Sequence, residues 1–318
     1  MELKDIKERF LLAPISINCQ LGDPFQSNQW AGTQKRILDL QESNHKGPVA
    51  LITKSIITQS QLDWLRDKVV NLNLFVYFSI TGLTQKYGTQ TILGNFKDVA
   101  TECKNIKPII FIRPIIPGKN DDINILEPII ETAAKYAYKH ALIYRGYKDI
   151  EDSCKNVKLN EKFIAEFEKC TQNMGAVIFP KTRLLAMSSG IPHLMNLPKV
   201  SKEDANDFLS LVGYDDRFSI IGDSIHMYGN HISEITKGDI HFIEMFTGWN
   251  VPVDSSAKYR DQRSILSISL FGQNTIDSTS SWLGWGENKP CVIGCPYCIA
   301  FAEQKDYKEF GCNFDKLL

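Results

Sequence analysis

From its start to Gly146, the chain sets short runs of apolar residues between stretches of helical pattern, and this alternation restricts the fold more than any other feature. The runs are "LLAPISIN" (Leu11 to Asn18), "VALI" (Val49 to Ile52), "LFVYFSITG" (Leu74 to Gly82), "PIIFIRPIIPG" (Pro108 to Gly118) and "HALIYRG" (His140 to Gly146). Strands that read as continuous Val, Ile, Leu and Phe are buried on both faces, and strands alternating with helices pair in parallel through crossovers. In "TQKRILDLQE", Ile37, Leu38 and Leu40 share an apolar stripe. A second helix is expected from Ser60, with Asp63 completing a capping-box pattern and Leu62, Leu65 and Val69 on one face. A third is expected over Asn124 to Tyr138. The expected fold class is α/β, a parallel β/α barrel or partial barrel, whose ligands bind at the C-terminal ends of the strands.

The residues that close each run are therefore the candidate site. Cys19, Gly22 and Asp23 follow the first run, Thr53, Lys54 and Ser55 the second, and Ser79 and Thr81 end the third. Arg113 closes the fourth, and Tyr144 and Arg145 the fifth. Capping and solvation explain many polar residues at strand ends. They do not readily explain a lysine directly after "VALIT".

Near the other end, Cys291, Cys295 and Cys298 stand in "PCVIGCPYCIA". A C-x3-C-x2-C loop brings three thiolates to one metal centre, as iron–sulfur clusters require, and a four-iron cluster held by three cysteines leaves one iron free for a ligand. The other closure is a zinc knuckle completed by Cys312, since four thiolates make a closed zinc site. Both stand open on spacing alone. Cys103, Cys154, Cys170 and Cys312 show no paired short spacing that would suggest a further cluster.

Composition sets outer limits. At 318 residues, 43% of them hydrophobic, the chain is long enough for one large α/β domain or two smaller ones. A formal net charge of −1 announces neither a nucleic-acid nor a membrane-surface binder. The opening "MELKDIKERFLLAPISIN" fits neither a signal peptide nor a membrane span, so a cytoplasmic protein without membrane contact is expected. Eight cysteines in that setting read as reduced thiols and metal ligands.

The cysteine loop, with Tyr297 directly before its last cysteine, resembles the cluster loop of radical S-adenosylmethionine enzymes. The series "GDPFQ", "TQKRILDL", "GPVALITKS", "VYFSITG" and "FIRPIIPGKND" is similar to the body of the group that includes the spore photoproduct lyases. That group has an Asp-Pro-aromatic turn after its second strand, Thr-Lys-Ser at the end of its third and an Arg shortly before Pro-Gly at its fifth. The likeness covers residues 11 to 146, in the family's order. The loop's position departs from the pattern, because in the family it follows the first strand. A circular permutation reconciles the two: "SILSISLFG" (Ser264 to Gly272) becomes the family's first strand and "IAFAEQKDYKEF" its first helix, packed beside the N-terminal strand. Domain termini lie at the surface and often close together, so such a break leaves a packed barrel unchanged.

The resemblance implies a [4Fe-4S] cluster on Cys291, Cys295 and Cys298, with Tyr297 near the adenine of S-adenosylmethionine. It implies Gly22 and Asp23 for the ammonium group, Lys54 for the carboxylate, and Ser79 and Arg113 for ribose and carboxylate. Cys19, four residues before Asp23, matches the position of a hydrogen-atom donor in the lyases; as a lone strand cysteine it also reads as a small buried hydrophobe. The implied activity is reductive cleavage of the cofactor and hydrogen abstraction from a substrate, with a flavodoxin or ferredoxin type of electron donor and a nucleotide or nucleic acid, a peptide or a small metabolite as candidate substrates. Residues 1–148 then form barrel strands carrying the cofactor site, 149–263 later barrel elements and a substrate-covering insertion, and 264–318 the permuted first strand, loop and helix, in one structural domain. Two other readings are a noncatalytic zinc-binding interaction protein and a barrel enzyme using Lys54 as a Schiff-base lysine.

The middle of the chain is less legible. "GAVIFPKT" (Gly175 to Thr182) and "RFSIIGD" (Arg217 to Asp223) read as further strands, and a helix is expected from about Ser201. His226, His231 and His241 have spacings that fit no short metal motif, so substrate contact or ordinary placement is the expectation. Trp249, Trp282 and Trp285 read as cover for the barrel mouth or as a stacking platform.

Overall fold

The computed structural model describes residues 9, 11–12, 15–17, 23–83, 87–146, 158–179, 185–186, 188–191, 197–211, 214–228, 240, 243–244 and 246–252. The described residues fall into two compact units, one within 17–42 and 49–186 and another within 1–16, 43–48 and 187–318. The elements in chain order are β1 (Ile15–Ser16), α1 (Ser27–Glu42), β2 (Pro48–Thr53), α2 (Gln59–Lys68), β3 (Asn73–Ser79), α3 (Thr89–Glu102) and β4 (Lys107–Ile115). They continue with α4 (Ile123–Tyr136), β5 (Ala141–Gly146), α5 (Glu161–Met174), β6 (Val177–Ile178), α6 (Lys202–Leu211), β7 (Phe218–Ile221) and β8 (Ser224–Met227).

The first unit is built on a sheet in which β2, β3, β4, β5 and β6 lie side by side in that order. β3 pairs with β4, β4 with β5 and β5 with β6, all in parallel. Each parallel step needs a crossover, and α3, α4 and α5 supply the last three. Leu74 to Phe78 and Ile109 to Ile112 have no exposed surface at all. Apolar side chains cover both sides of these strands: Phe78 meets Phe96 of α3 edge-on at 5.2 Å between ring centroids, while Tyr77 points to the other face and meets Phe111 at 6.4 Å. α5 closes against β5 through Phe167 and Tyr144, 4.9 Å apart, and ends at Gly175, whose φ of 79° is the left-handed C-cap that glycine takes without penalty.

The expected run Leu11 to Asn18 is corrected. Leu11 and Leu12 are helical, the carbonyl of Leu11 accepts from the amides of Lys46 and Gly47, and among the described residues of the run Ile15–Ser16 is strand. Pro14 separates the two, and the residue before a proline is disfavoured in a helix. The helix expected from Ser60 starts one residue earlier, with Thr58 as N-cap and Gln61, not Asp63, completing the capping box. α3 and α5 were not anticipated: α3 follows Gly88 with no side-chain cap, and α5 is capped by Asn160, which accepts from the Lys162 amide at 2.8 Å, without the box partner that marked α2. Among the described residues of the strand expected over Gly175 to Thr182, Val177–Ile178 is strand.

The second unit contains a β-hairpin of its own. The expected strand at Arg217 to Asp223 is β7, and it pairs antiparallel with β8 instead of extending a parallel series. Gly222, with φ 58°, opens the two-residue loop, as a tight hairpin requires. α6 begins where expected, with the Ser201 hydroxyl accepting from the Asp204 amide at 3.0 Å. Trp249 is buried, donates its indole N–H to the Val200 carbonyl at 2.9 Å and carries the Lys199 ammonium over its ring at 4.7 Å. It is therefore a packing residue of this unit. Among the described residues no helix is long and apolar enough to cross a membrane.

Gly82, just past β3, has φ 73°, and a Cβ placed there would collide with the side chain of Ile125. Gly82→Ala is expected to lower stability by about 1–3 kcal/mol, read as a fall in denaturation midpoint with an unchanged m-value.

Candidate functional site

The turn ahead of α1 is made by Asp23 and Pro24. Asp23 Oδ1 accepts from the Phe25 amide at 3.0 Å and its carbonyl accepts from the Gln26 amide at 3.0 Å, a local Asx turn that starts the helix. The same carboxylate reaches the end of β2. It accepts from the Thr53 hydroxyl at 2.8 Å, and Oδ2 takes the backbone amides of Lys54 at 2.6 Å and Ser55 at 2.9 Å. Gln61, buried on α2, ties the next turn in by donating to the Phe25 carbonyl at 2.9 Å. Asn95 of α3 brackets Ile57, accepting from its amide and donating to its carbonyl, both at 2.8 Å.

The ends of β3 and β4 are joined in the same manner. The buried Ser79 hydroxyl donates to the Arg113 carbonyl at 3.0 Å. Asn120, fully buried, donates to the carbonyls of Thr81 at 2.6 Å and Pro114 at 2.9 Å and accepts from the Ile116 amide at 2.6 Å. These clamps satisfy backbone groups that the sheet ladder no longer reaches.

They frame a cleft of about 1090 Å³ within the first unit, lined by Asp23, Lys54, Arg113, Phe25, Trp30 and Tyr87 among others. Phe25 stacks on Trp30 at 5.4 Å, and Trp30 meets Trp64 edge-on at 5.4 Å, so one wall is aromatic. The charged lining consists of two cations and one carboxylate. Burial of its stem and the nearby Arg113 guanidinium pull the Lys54 amine below the ordinary lysine range, with Asp23 opposing them. Arg113 lies over the Phe111 ring at 5.8 Å. Two cations in one cleft, with an aromatic wall beside them, suit an anionic group carried on a planar ring system.

Of the expected site residues, Asp23, Lys54 and Arg113 come together in this cleft. Ser79 lies outside its lining, its hydroxyl engaged under Arg113. Cys19, Gly22, Tyr297, Cys291, Cys295 and Cys298 lie outside the described residues, as do His231, His241, Trp282, Trp285, Cys154, Cys312 and the segment expected to be the permuted strand. His226 sits on β8 opposite Ser219, an ordinary hairpin position. The thiol of Cys103 is buried, donates to the Leu62 carbonyl at 3.6 Å, and is pushed up to about 11 mainly by that burial, which suits a packing role. Trp30, Gln61 and Asn95 were missed. Gln61 at the third position of a capped helix was the one readable signal; the others depend on which residues fold beside them.

No protein-family model and no curated protein matches this chain. Among the described residues no cluster of His, Cys, Asp or Glu is arranged to hold a metal ion.

Because the ammonium form of Lys54 is what attracts an anion, binding of a carboxylate ligand in the cleft is expected to be strongest below its lowered pKa. It should weaken as pH rises, earlier than the 10.5 of an ordinary lysine would dictate. Lys54→Arg should move that alkaline limb upward, as measured by ligand affinity against pH.

Proposed function

We propose that this chain is a radical S-adenosylmethionine enzyme with a circularly permuted partial β/α barrel, in which residues 264–318 supply the first strand and the cluster loop. The observation that supports the reading is the meeting of Lys54 and Arg113 in one cleft at the C-terminal ends of β2 and β4, where α/β folds bind ligands. In this reading three thiolates, Cys291, Cys295 and Cys298, would hold a [4Fe-4S] cluster; their number and spacing fit that donor set. Held there, the cluster and S-adenosylmethionine would supply the chemistry of reductive cofactor cleavage and hydrogen abstraction from a substrate.

The chain's own residues bind and orient. Lys54 pairs as a point charge with the methionine carboxylate, and Arg113 adds a second cation on that side of the cleft. Ser79 acts through Arg113, fixing its backbone from beneath. The aromatic wall of Phe25 and Trp30 lines the same space, and Tyr297 belongs beside the adenine. Cys19 is the candidate hydrogen-atom donor. Electrons come from a flavodoxin or ferredoxin type of protein, and a nucleotide or nucleic acid heads the candidate substrates.

The environment of Lys54 favours one other reading. A lysine whose amine is held below its ordinary range beside a second cation is suited to Schiff-base chemistry with a carbonyl substrate. Borohydride trapping on Lys54 without S-adenosylmethionine would support that reading against the first.

Anaerobically reconstituted protein is expected to be brown, with about four irons per chain. With dithionite and S-adenosylmethionine it should release 5′-deoxyadenosine, detected by chromatography. Cys295→Ala should abolish both colour and product. A colourless protein with one zinc per chain and no 5′-deoxyadenosine would end the proposal. Cys19→Ala should leave the first cleavage intact while slowing turnover of a true substrate; unchanged turnover would remove Cys19 from the mechanism.

A further inference from the structure

An ionised carboxylate has about four lone-pair sites for donors. At Asp23 four donors of this chain arrive: the Phe25 amide at 3.0 Å, the Thr53 hydroxyl at 2.8 Å, the Lys54 amide at 2.6 Å and the Ser55 amide at 2.9 Å. Thr53 is itself buried, so its hydroxyl has no water to fall back on. The carboxylate bridges two segments 30 or more residues apart, the turn that opens α1 and the end of β2. Hydrogen bonds to an ionised acceptor are shorter and stronger than neutral ones, and the 2.6 Å bond to Lys54 lies in that class. Such a carboxylate has no lone pair left for a ligand's ammonium group.

We propose that Asp23 is a positioning residue: its carboxylate grips the Lys54 and Ser55 backbone so that the Lys54 side chain is presented to an anionic group in the cleft, and it does not contact that ligand. This departs from the role the family resemblance implied for Asp23, and it rests on the reading of the cleft as a carboxylate site. The ammonium group of an amino-acid ligand must then be received by other acceptors. The negative charge at Asp23 has a second effect, offsetting part of the repulsion between Lys54 and Arg113 while the site is empty.

Two measurements test this separately. Hydrogen exchange on the holoprotein should show slow amides at Lys54 and Ser55. Asp23→Asn, whose amide nitrogen cannot accept, should speed exchange at those two positions by about tenfold or more while the β3 amides stay protected. The second measurement is affinity for S-adenosylmethionine in the reconstituted holoprotein. Asp23→Asn and Lys54→Met should each weaken it, by about tenfold for the first, and the double variant should bind no more weakly than Lys54→Met alone.

Additive losses in the double variant would mean that Asp23 touches the ligand directly, and would overturn the inference. Unchanged exchange at Lys54 and Ser55 in Asp23→Asn would also overturn it. If Asp23→Asn does not fold, Thr53→Val, which removes one of the four donors, should raise the same two exchange rates; unaltered rates there sink the idea equally. Should the wild-type holoprotein fail to bind S-adenosylmethionine, the radical enzyme reading fails, and the exchange data alone decide the role of Asp23.

Discussion

Burial of the central strands on both faces is the constraint from which the rest follows. β3 and β4 meet Phe96 and its neighbours on one side and an aromatic row on the other, so a solvated polar group has no place along most of their length. Polar chemistry is displaced to the strand ends, where the ladder stops and backbone groups lose their partners. The same constraint makes those ends costly to build, because each unpaired amide or carbonyl near the core demands a substitute.

Side-chain amides and carboxylates provide the substitutes. Asn120 serves three backbone groups between β3 and β4, Asn95 brackets Ile57, Gln61 reaches the turn at Phe25, and Asp23 gathers four donors. Each bond contributes about 1 kcal/mol net, more at the ionised Asp23, but leaving any of these groups unpaired would cost more than the bond gives. The result is a cleft rim held by hydrogen bonds to side chains in place of a sheet ladder. Lys54 and Arg113 project from that rim with their backbones already held, which reduces the ordering cost a ligand must offset.

The apolar strands were readable because continuous hydrophobic runs carry their own evidence: β2 to β5 lie within three residues of the expected segments at either end. Errors came where local pattern is ambiguous. "LLAPISIN" holds enough leucine and isoleucine to pass as one strand, yet its first part is helical and its carbonyl at Leu11 bonds to Lys46 and Gly47, partners no local pattern reveals. "RFSIIGD" has strand composition, and only the pairing with Ser224–Met227 showed it to be half of a hairpin. α3 lacks a side-chain cap, and the Asn160 cap of α5 stands without the reciprocal partner that made α2 visible.

Sequence alone determined which segments become core strands and which polar residues close them, since burial of an apolar run is a property of the run itself. It also set Cys291, Cys295 and Cys298 within eight positions of one another. Tertiary structure decided what the strand-end residues do. Asp23 is consumed by Thr53, Lys54 and Ser55, Ser79 turns beneath Arg113, and Lys54 and Arg113 share a cleft with Trp30. The reason is physical: those assignments depend on hydrogen bonds and charge proximity between residues 30 or more positions apart, and such neighbours exist only once the parallel sheet has set strand end beside strand end.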